Sequence, residues 1–369
     1  MGKIIYGVCG EGLGHAARVM TIVNELRLKH EFVIFAASSA YTYLKKHLAP
    51  SGSIRLERIP GLNFRYLFKR ISYVLSVTSA IPYVLSMDKK VAEMQNKVAG
   101  LQADLVITDF EPLTARLARK QKIPLISIDH QHFITQLDLQ ELPWSWRLRA
   151  RIMSWFIRLY FDWQDQTVVS SFFSQAFQST DAVQHVGVTL RSRMQIQKPA
   201  NGPAIVVYLR RFHSRKLLQL LGRRKEKFLI YGHHVPRTEG NLEFKQVDNE
   251  TFCEDLAQCR ALICNAGNQL VGEALSFGKP VLALPESGNF EQQLNGHFLN
   301  QMVGGTSVPF EKMNDRVLTE FVESLDEYRR HIDRQSVVGN QQIIRFIDTL
   351  VGPESANEKL KPESLSIPA

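Results

Sequence analysis

The sequence has no apolar run of the roughly 20 residues needed to cross a bilayer. The best candidate, 71–87, has seventeen uncharged residues but holds Pro82, four serines, a threonine and two tyrosines. Cysteine is scarce. Cys9, Cys253, Cys259 and Cys264 are the whole set, and no two form a C-x-x-C. That excludes the spacing of a zinc ribbon or redox dithiol and points to reduced thiols in a reducing compartment. The opening MGKIIY lacks the apolar core and small-residue cleavage site of a secretory signal, so the cytoplasm is the expected location. No D-x-D occurs. His130-Gln131-His132 and His233-His234 stand apart from acidic or cysteine partners, so no metal is expected. No RNP-like strand, helix-turn-helix or finger spacing is present, and nucleic acid is not an expected partner. Acidic residues are short in one half only. Residues 1–200 hold 25 basic and 15 acidic side chains, against 20 and 21 in 201–369.

What is present is a globular composition, 44% apolar and 22% charged, over 369 residues. At about 100–200 residues per domain, that length fits two domains. An apolar strand over 4–8 leads into the turn Gly10-Glu11-Gly12-Leu13-Gly14-His15. Val19, Ile22, Val23 and Leu26 follow at helix spacing, and a second strand covers 31–36. This is a βαβ opening, and it recurs as strand 104–108, helix 112–120 and strand 124–128. Pro199-Ala200-Asn201-Gly202-Pro203 reads as a linker. A second series follows, with strands over 204–209, 227–231, 242–246, 261–264 and 280–284. Its helices cover 217–221, 251–258 and 269–277. The expected architecture is α/β: two Rossmann-like, doubly wound parallel-sheet domains, 1–199 and 200–351, facing a cleft. The Pro-, Glu-, Ser- and Lys-rich stretch 352–369 is expected to be a disordered tail. Ligands of such sheets sit at the carboxyl ends of the strands.

Three motifs fall at those ends. The first turn superficially matches a dinucleotide fingerprint, but its glycines are not spaced as G-x-G-x-x-G. His15 follows the glycines directly, at the first turn of a helix, where an imidazole can take a proton from a hydroxyl. It could equally cap or pack the helix. Asp109 ends an apolar strand and could orient His15 as in a His–Asp pair. Either Asp109 or Glu111 could instead cap the helix beginning near Pro112. The third motif runs from Asn265 through Ala266, Gly267, Asn268 and Gln269 to Glu273 and Pro280. A glycine turn entering a helix N-terminus suits a phosphate. Glu273, about one and a half turns on, could reach ribose hydroxyls, and Glu291, Gln292 and Asn295 could meet a sugar. His130 is expected on the acceptor side of the cleft.

The stretch from Asn265 to Asn295 reads G-x-x-x-x-x-E-A-L-x-x-G-K-P, then a proline-ended strand, E-Q and N. In that order and spacing it resembles the GT-B glycosyltransferases, particularly the branch of the peptidoglycan N-acetylglucosaminyltransferase. The resemblance covers most of 1–350. It implies His15 as base, Asp109 as its partner and the Gly267 turn as diphosphate site. Asn265, Ala266, Asn268 and Gln269 would join the donor site, with Glu273 on the ribose and Glu291 and Gln292 on the donor sugar. Gly12, Gly14, Glu111 and His130 would line the acceptor side. Asn265 stands where some relatives carry a His or Arg, and Asn268-Gln269-Leu270 where a Ser or Thr is frequent. Gly14-His15-Ala16-Ala17-Arg18 also resembles a nucleotide-sugar hydrolase branch of the same fold.

All four tryptophans lie in 142–163. Leu148, Ile152, Trp155 and Leu159 form one helical stripe, with Arg147, Arg151 and Arg158 on a neighbouring one. Phe64, Arg65, Tyr66, Leu67, Phe68, Lys69 and Arg70 precede the apolar run. An amphipathic Arg/Trp helix suits an anionic interface, although snorkelling arginines on a core helix would give the same pattern. The expected function is inverting transfer of a sugar from a nucleotide-diphosphate donor, UDP-linked by family habit, to a lipid-linked or cell-envelope glycan. The expected partners are that donor, that acceptor and an anionic membrane touched through 64–87 and 142–163. This would place the chain peripherally on the inner face of the cytoplasmic membrane. No cofactor is called for. The rivals are a nucleotide-sugar hydrolase or epimerase and a non-catalytic nucleotide-sugar or membrane binder.

Overall fold

The computed structural model describes residues 1–10, 13–48, 51–61, 66–67, 70–71, 79, 81–160, 163–174, 182–209, 215–232 and 235–351. Gly12, His233, His234, most of 64–80 and the tail 352–369 lie outside the described residues.

Two seven-stranded sheets organise the chain. The first takes β1 (Lys3–Val8), β2 (Glu31–Ala37), β3 (Ile54–Ile59), β6 (Leu105–Asp109), β7 (Leu125–Asp129), β8 (Gln166–Ser170) and β9 (Val183–Val186). Between them, β4 (Tyr66–Leu67) and β5 (Arg70–Ile71) form a separate antiparallel pair. The first sheet runs β3-β2-β1-β6-β7-β8-β9, parallel throughout. Strands buried on both faces are near-continuous apolar runs, and β1 and β7 fit that description, with Ile4, Ile5, Tyr6 and Val8 fully buried. The order reverses between β1 and β6, where Val8 pairs with Asp109. That reversal opens a crevice at the carboxyl ends of β1 and β6.

The second sheet takes β10 (Ala204–Tyr208), β11 (Lys227–Tyr231), β12 (Arg237–Glu239), β13 (Leu242–Lys245), β14 (Ala261–Cys264), β15 (Val281–Ala283) and β16 (Gly305–Ser307). Its order is β12-β13-β11-β10-β14-β15-β16, and only the edge strand β12 is antiparallel. Its reversal lies between β10 and β14, where Tyr208 pairs with Cys264. Both reversals therefore sit beside a sequence motif.

The two sheets share packing. One apolar cluster runs from Phe133, Phe172 and Phe173 in the first half to Val206, Phe290 and Phe298 in the second. Phe173 stacks on Phe298 with ring centroids 4.3 Å apart. The last helix, Asn340–Val351, returns to the first sheet, where Ile343 and Ile347 join the cluster of Ile4, Val19 and Phe32. The return passes a close backbone crossing. A Cβ on Gly187 would lie 2.4 Å from the Val337 carbonyl carbon, so only glycine fits there.

Candidate active site

The first crevice is built by β1, the helix Leu13–Leu26 and the end of β6. His15 Nδ1 lies 2.6 Å from Asp109 Oδ1, and both side chains are buried. An N–H on Nδ1 donates to that carboxylate, which leaves the Nε2 lone pair directed away from Asp109. Arg18, one turn further along the helix, donates to the same carboxylate through Nε at 2.8 Å and Nη2 at 3.1 Å. Asp109 thus faces an imidazole and a guanidinium at once. Phe110 turns the chain here with φ of +54°, a conformation bulky residues rarely adopt. The turn separates two carboxylates. Asp109 enters the crevice, while Glu111 points back and caps the helix Pro112–Gln121, accepting from the Leu113 and Thr114 N–H groups at 3.0 and 2.7 Å. Glu111 is buried, and burial raises its pKa. Of the two candidates for that cap, Glu111 fills it and Asp109 does not.

The loop after β7 forms the crevice wall. Asp129 binds His132 through Nδ1 at 2.6 Å and accepts from the His132 N–H at 2.9 Å. Ser127 Oγ donates to the same carboxylate. Burial pushes Asp129 upward, but the His132 charge and these hydrogen bonds outweigh it and hold the carboxyl at about 2. His130 lies between the Ser170 carbonyl oxygen, 3.2 Å from Nδ1, and the Asn295 amide oxygen, 3.1 Å from Nε2. It stacks on Phe133 with centroids 4.4 Å apart. Burial and then the Arg18 charge push its pKa down to about 3. His130 therefore sits between the two halves as a neutral ring, which donates its one N–H to one of these two oxygens.

The second half presents the loop after β14 and the helix Asn268–Ser276. Gly267 caps that helix with no side chain on its first turn, so the amide dipoles there remain available to an anion. Its neighbours are engaged. The Asn265 amide donates to the Leu284 carbonyl at 3.1 Å. Ala266 is buried, and its carbonyl accepts from Asn295 at 2.9 Å. The Asn268 amide spans the two halves, donating to the Ser170 carbonyl at 2.9 Å and accepting from the Phe172 N–H at 3.1 Å. Gln269 donates to the Thr189 carbonyl at 2.6 Å and to Glu273 at 2.9 Å. Glu273 also holds a two-pronged pair with Arg191, both contacts 2.9 Å. Gly272 permits this: a Cβ there would meet Val188 Cγ2 at 2.5 Å, so the helix lies directly on the segment that carries Arg191.

The two crevices meet. A side chain at Gly14 would come within 3.6 Å of Gln269 Cβ. Glu291, on the helix Phe290–Gln301, lies within electrostatic reach of His15 and Arg18 and 4.0 Å from His130 Nε2. Burial raises its pKa. Gln292 points elsewhere, accepting from the Glu286 N–H at 2.7 Å.

Residues 2–326 match the family model "Glycosyl transferase family 1". The chain belongs to glycosyl transferase family 1. An uncharacterized glycosyltransferase of Methanosarcina acetivorans is 22% identical, with 98% of each chain covered. The crystal structure of Acinetobacter baumannii MurG superposes with a TM-score of 0.59 at 14% identity, covering 95% of this chain and all of that one. LpCGTa in complex with UDP gives 0.65 at 14%, covering 95% and 99%. This family member is a glycosyltransferase with the two-sheet GT-B fold. Sequence reasoning noted Arg18 without giving it a task, and missed Arg191 and Gln131. Arg18 stands at i+3 from His15 and was open to detection, because both then share one helix face. Arg191 carries no local signal.

Proposed function

We propose that this glycosyltransferase moves a sugar from a nucleotide-diphosphate donor, UDP-linked, to an acceptor hydroxyl, with inversion at the anomeric carbon. The His15–Asp109 contact of 2.6 Å, set where the sheet order reverses, carries the reading. In it, the acceptor hydroxyl gives its proton to His15 Nε2 and attacks the anomeric carbon. Asp109 holds the ring and offsets its developing charge. The diphosphate leaves from the opposite face, so one displacement inverts configuration. The open N–H groups beyond Gly267 would take the leaving charge without a metal. Glu291, facing His15, supports a place for the donor sugar between them. The division at 199/200 gives each half one substrate, with the acceptor on the His15 side and the donor on the Gly267 side.

The acceptor is proposed to be lipid-linked or a cell-envelope glycan, met at an anionic membrane surface. Among the described residues no helix is long and apolar enough to cross a membrane. The helix Trp144–Tyr160 nevertheless leaves Trp144, Leu148, Ile152 and Trp155 exposed, with Arg151 and Arg158 exposed beside them.

The test is a nucleotide-sugar screen with and without detergent-solubilised lipid extract, reading nucleoside-diphosphate release and glycoside formed, with His15→Ala in parallel. Extract-dependent release matched by glycoside, and lost in the variant, supports the reading. Release without any acceptor would replace it with hydrolysis, the alternative that the G-H-x-x-R motif favours. Donor binding without turnover would leave a binding protein.

A further inference from the structure

Two histidine–aspartate contacts lie at the ends of the neighbouring strands β6 and β7. His15 Nδ1 meets Asp109 at 2.6 Å, and His132 Nδ1 meets Asp129 at 2.6 Å. All four side chains are buried. The pairs differ in what else binds the carboxylate. Asp129 takes a hydroxyl from Ser127, whereas Asp109 takes a guanidinium. Arg18 grips Asp109 at both oxygens, and its Nη2 contact of 3.1 Å falls on Oδ1, the oxygen that His15 already uses. Burial pushes the Arg18 pKa down, but the Asp109 charge and hydrogen bond outweigh it, so the guanidinium keeps its proton.

The groups that face His15 come from five elements. Asp109, at the end of β6, is offset by Arg18 from the His15 helix. Asp129, at the end of β7, is bound by His132. Gln131, in the loop after β7, is a neutral amide 3.4 Å from Nε2. Glu291, from the second half, has its pKa raised by burial. Tyr6, on β1, is pushed well above its ordinary value, first by burial, and keeps its proton. The carboxylate that touches His15 is therefore already balanced by a permanent cation. A positive charge on the ring would meet Arg18 across one buried oxygen, and like charges at that range disfavour each other.

We propose that Arg18 is a positioning residue for the base: it takes up the Asp109 charge, so that His15 rests as a neutral Nδ1–H ring whose Nε2 lone pair is available to a hydroxyl. The proposal rests on the reading of His15 as base. A buried carboxylate with no other cation favours the charged form of an imidazole beside it, and an imidazolium cannot accept the hydroxyl proton. Arg18 supplies the positive charge in place of that proton. Its fork also fixes the plane of the carboxylate, and with it the oxygen presented to the ring.

The test reads the ring itself and needs no substrate. The full chain carries histidine labelled with carbon-13 at Cε1, the His15 signal is identified by its loss in His15→Gln, and its chemical shift is followed by NMR from pH 5 to pH 9. The exposed His47 and His331 serve as internal references. In the wild type the His15 ring should be neutral at pH 7. Arg18→Gln, which keeps a donor toward Asp109 but no charge, should move the His15 midpoint up by about one pH unit or more, with the references unmoved. Arg18→Lys, which keeps the charge and loses the fork, should stay near wild type. Should Arg18→Gln fold poorly, which displaced reference signals would reveal, the wild-type titration and Arg18→Lys still decide. An imidazolium at pH 7 in the wild type would overturn the proposal. So would a midpoint unchanged in Arg18→Gln, or one raised as far in Arg18→Lys, which would make the fork rather than the charge responsible. No donor or acceptor is present, so these outcomes are separate from that of the transfer assay, where His15→Ala decides the base.

Discussion

Asp109 is the residue on which most depends, because an imidazole and a guanidinium share its oxygens. His15→Ala and Asp109→Asn should therefore fail differently. The first removes a proton acceptor at the crevice edge. Its expected effect is a fall in kcat of about 10²–10⁴, the usual contribution of a general base, with the melting temperature nearly unchanged. The second removes the charge facing Arg18, which stays buried. Breaking one side of a buried pair costs about 3–5 kcal/mol. Asp109→Asn should lose activity and also melt well below wild type. Parallel kinetic and calorimetric measurements on the two variants check this. Equal melting temperatures would show that Arg18 finds another partner and that Asp109 serves His15 alone.

At the scale of elements, the β7 loop and the Trp144–Tyr160 helix each make a prediction. The loop carries His130, whose folded pKa of about 3 lies below the ordinary histidine value of about 6.5. Between those values the unfolded chain binds a proton that the folded chain refuses. Stability therefore rises with pH across that window and is lost as pH falls from about 6.5 toward 3. Melting temperatures measured from pH 7 to 4.5 should fall, and His130→Gln should flatten the slope. The helix is divided by face. Arg149 reaches the Gly288 carbonyl and Gln293, both at 3.0 Å, and Trp146 packs on Phe290, so that side is committed to the second half. The other side keeps Trp144 83% and Leu148 67% exposed. Burying such a side chain in lipid is worth roughly 1.5–3 kcal/mol. Trp144→Ala with Leu148→Ala should weaken binding to phosphatidylglycerol vesicles at least tenfold without changing the melting temperature. Added salt should weaken wild-type binding, since the arginines act through a screened field.

At the scale of the molecule, what could be read from the sequence divides along a physical line. Buried parallel strands are apolar runs ended by glycine or proline, so β1, β6, β7, β10, β11 and β14 were legible to within a residue or two, and with them the two glycine turns at the strand ends. Strands such as β9, which alternates half-buried and exposed positions, carry no such run. Nor could the sequence show which distant side chains would meet. Arg18 and Asp109 are 91 residues apart, and Arg191 and Glu273 are 82 apart. Only the closed arrangement of both sheets decides those pairs. Asn268 shows what this changes. From its place after a glycine turn it is expected to meet a diphosphate, yet its amide bonds the first half at Ser170 and Phe172. The two roles predict opposite results for Asn268→Ala. A phosphate ligand would raise the donor KM and leave the unliganded melting temperature alone. A strut between the halves leaves the Phe172 N–H and one lone pair of the Ser170 carbonyl without this partner, each loss costing about 1–3 kcal/mol when buried. We expect the second pattern: a lower melting temperature without ligand, partly restored by saturating donor, because a ligand that binds only the folded state stabilises it by mass action. A raised KM at an unchanged melting temperature would return Asn268 to the diphosphate and leave His130 and Asn295 to hold the halves together.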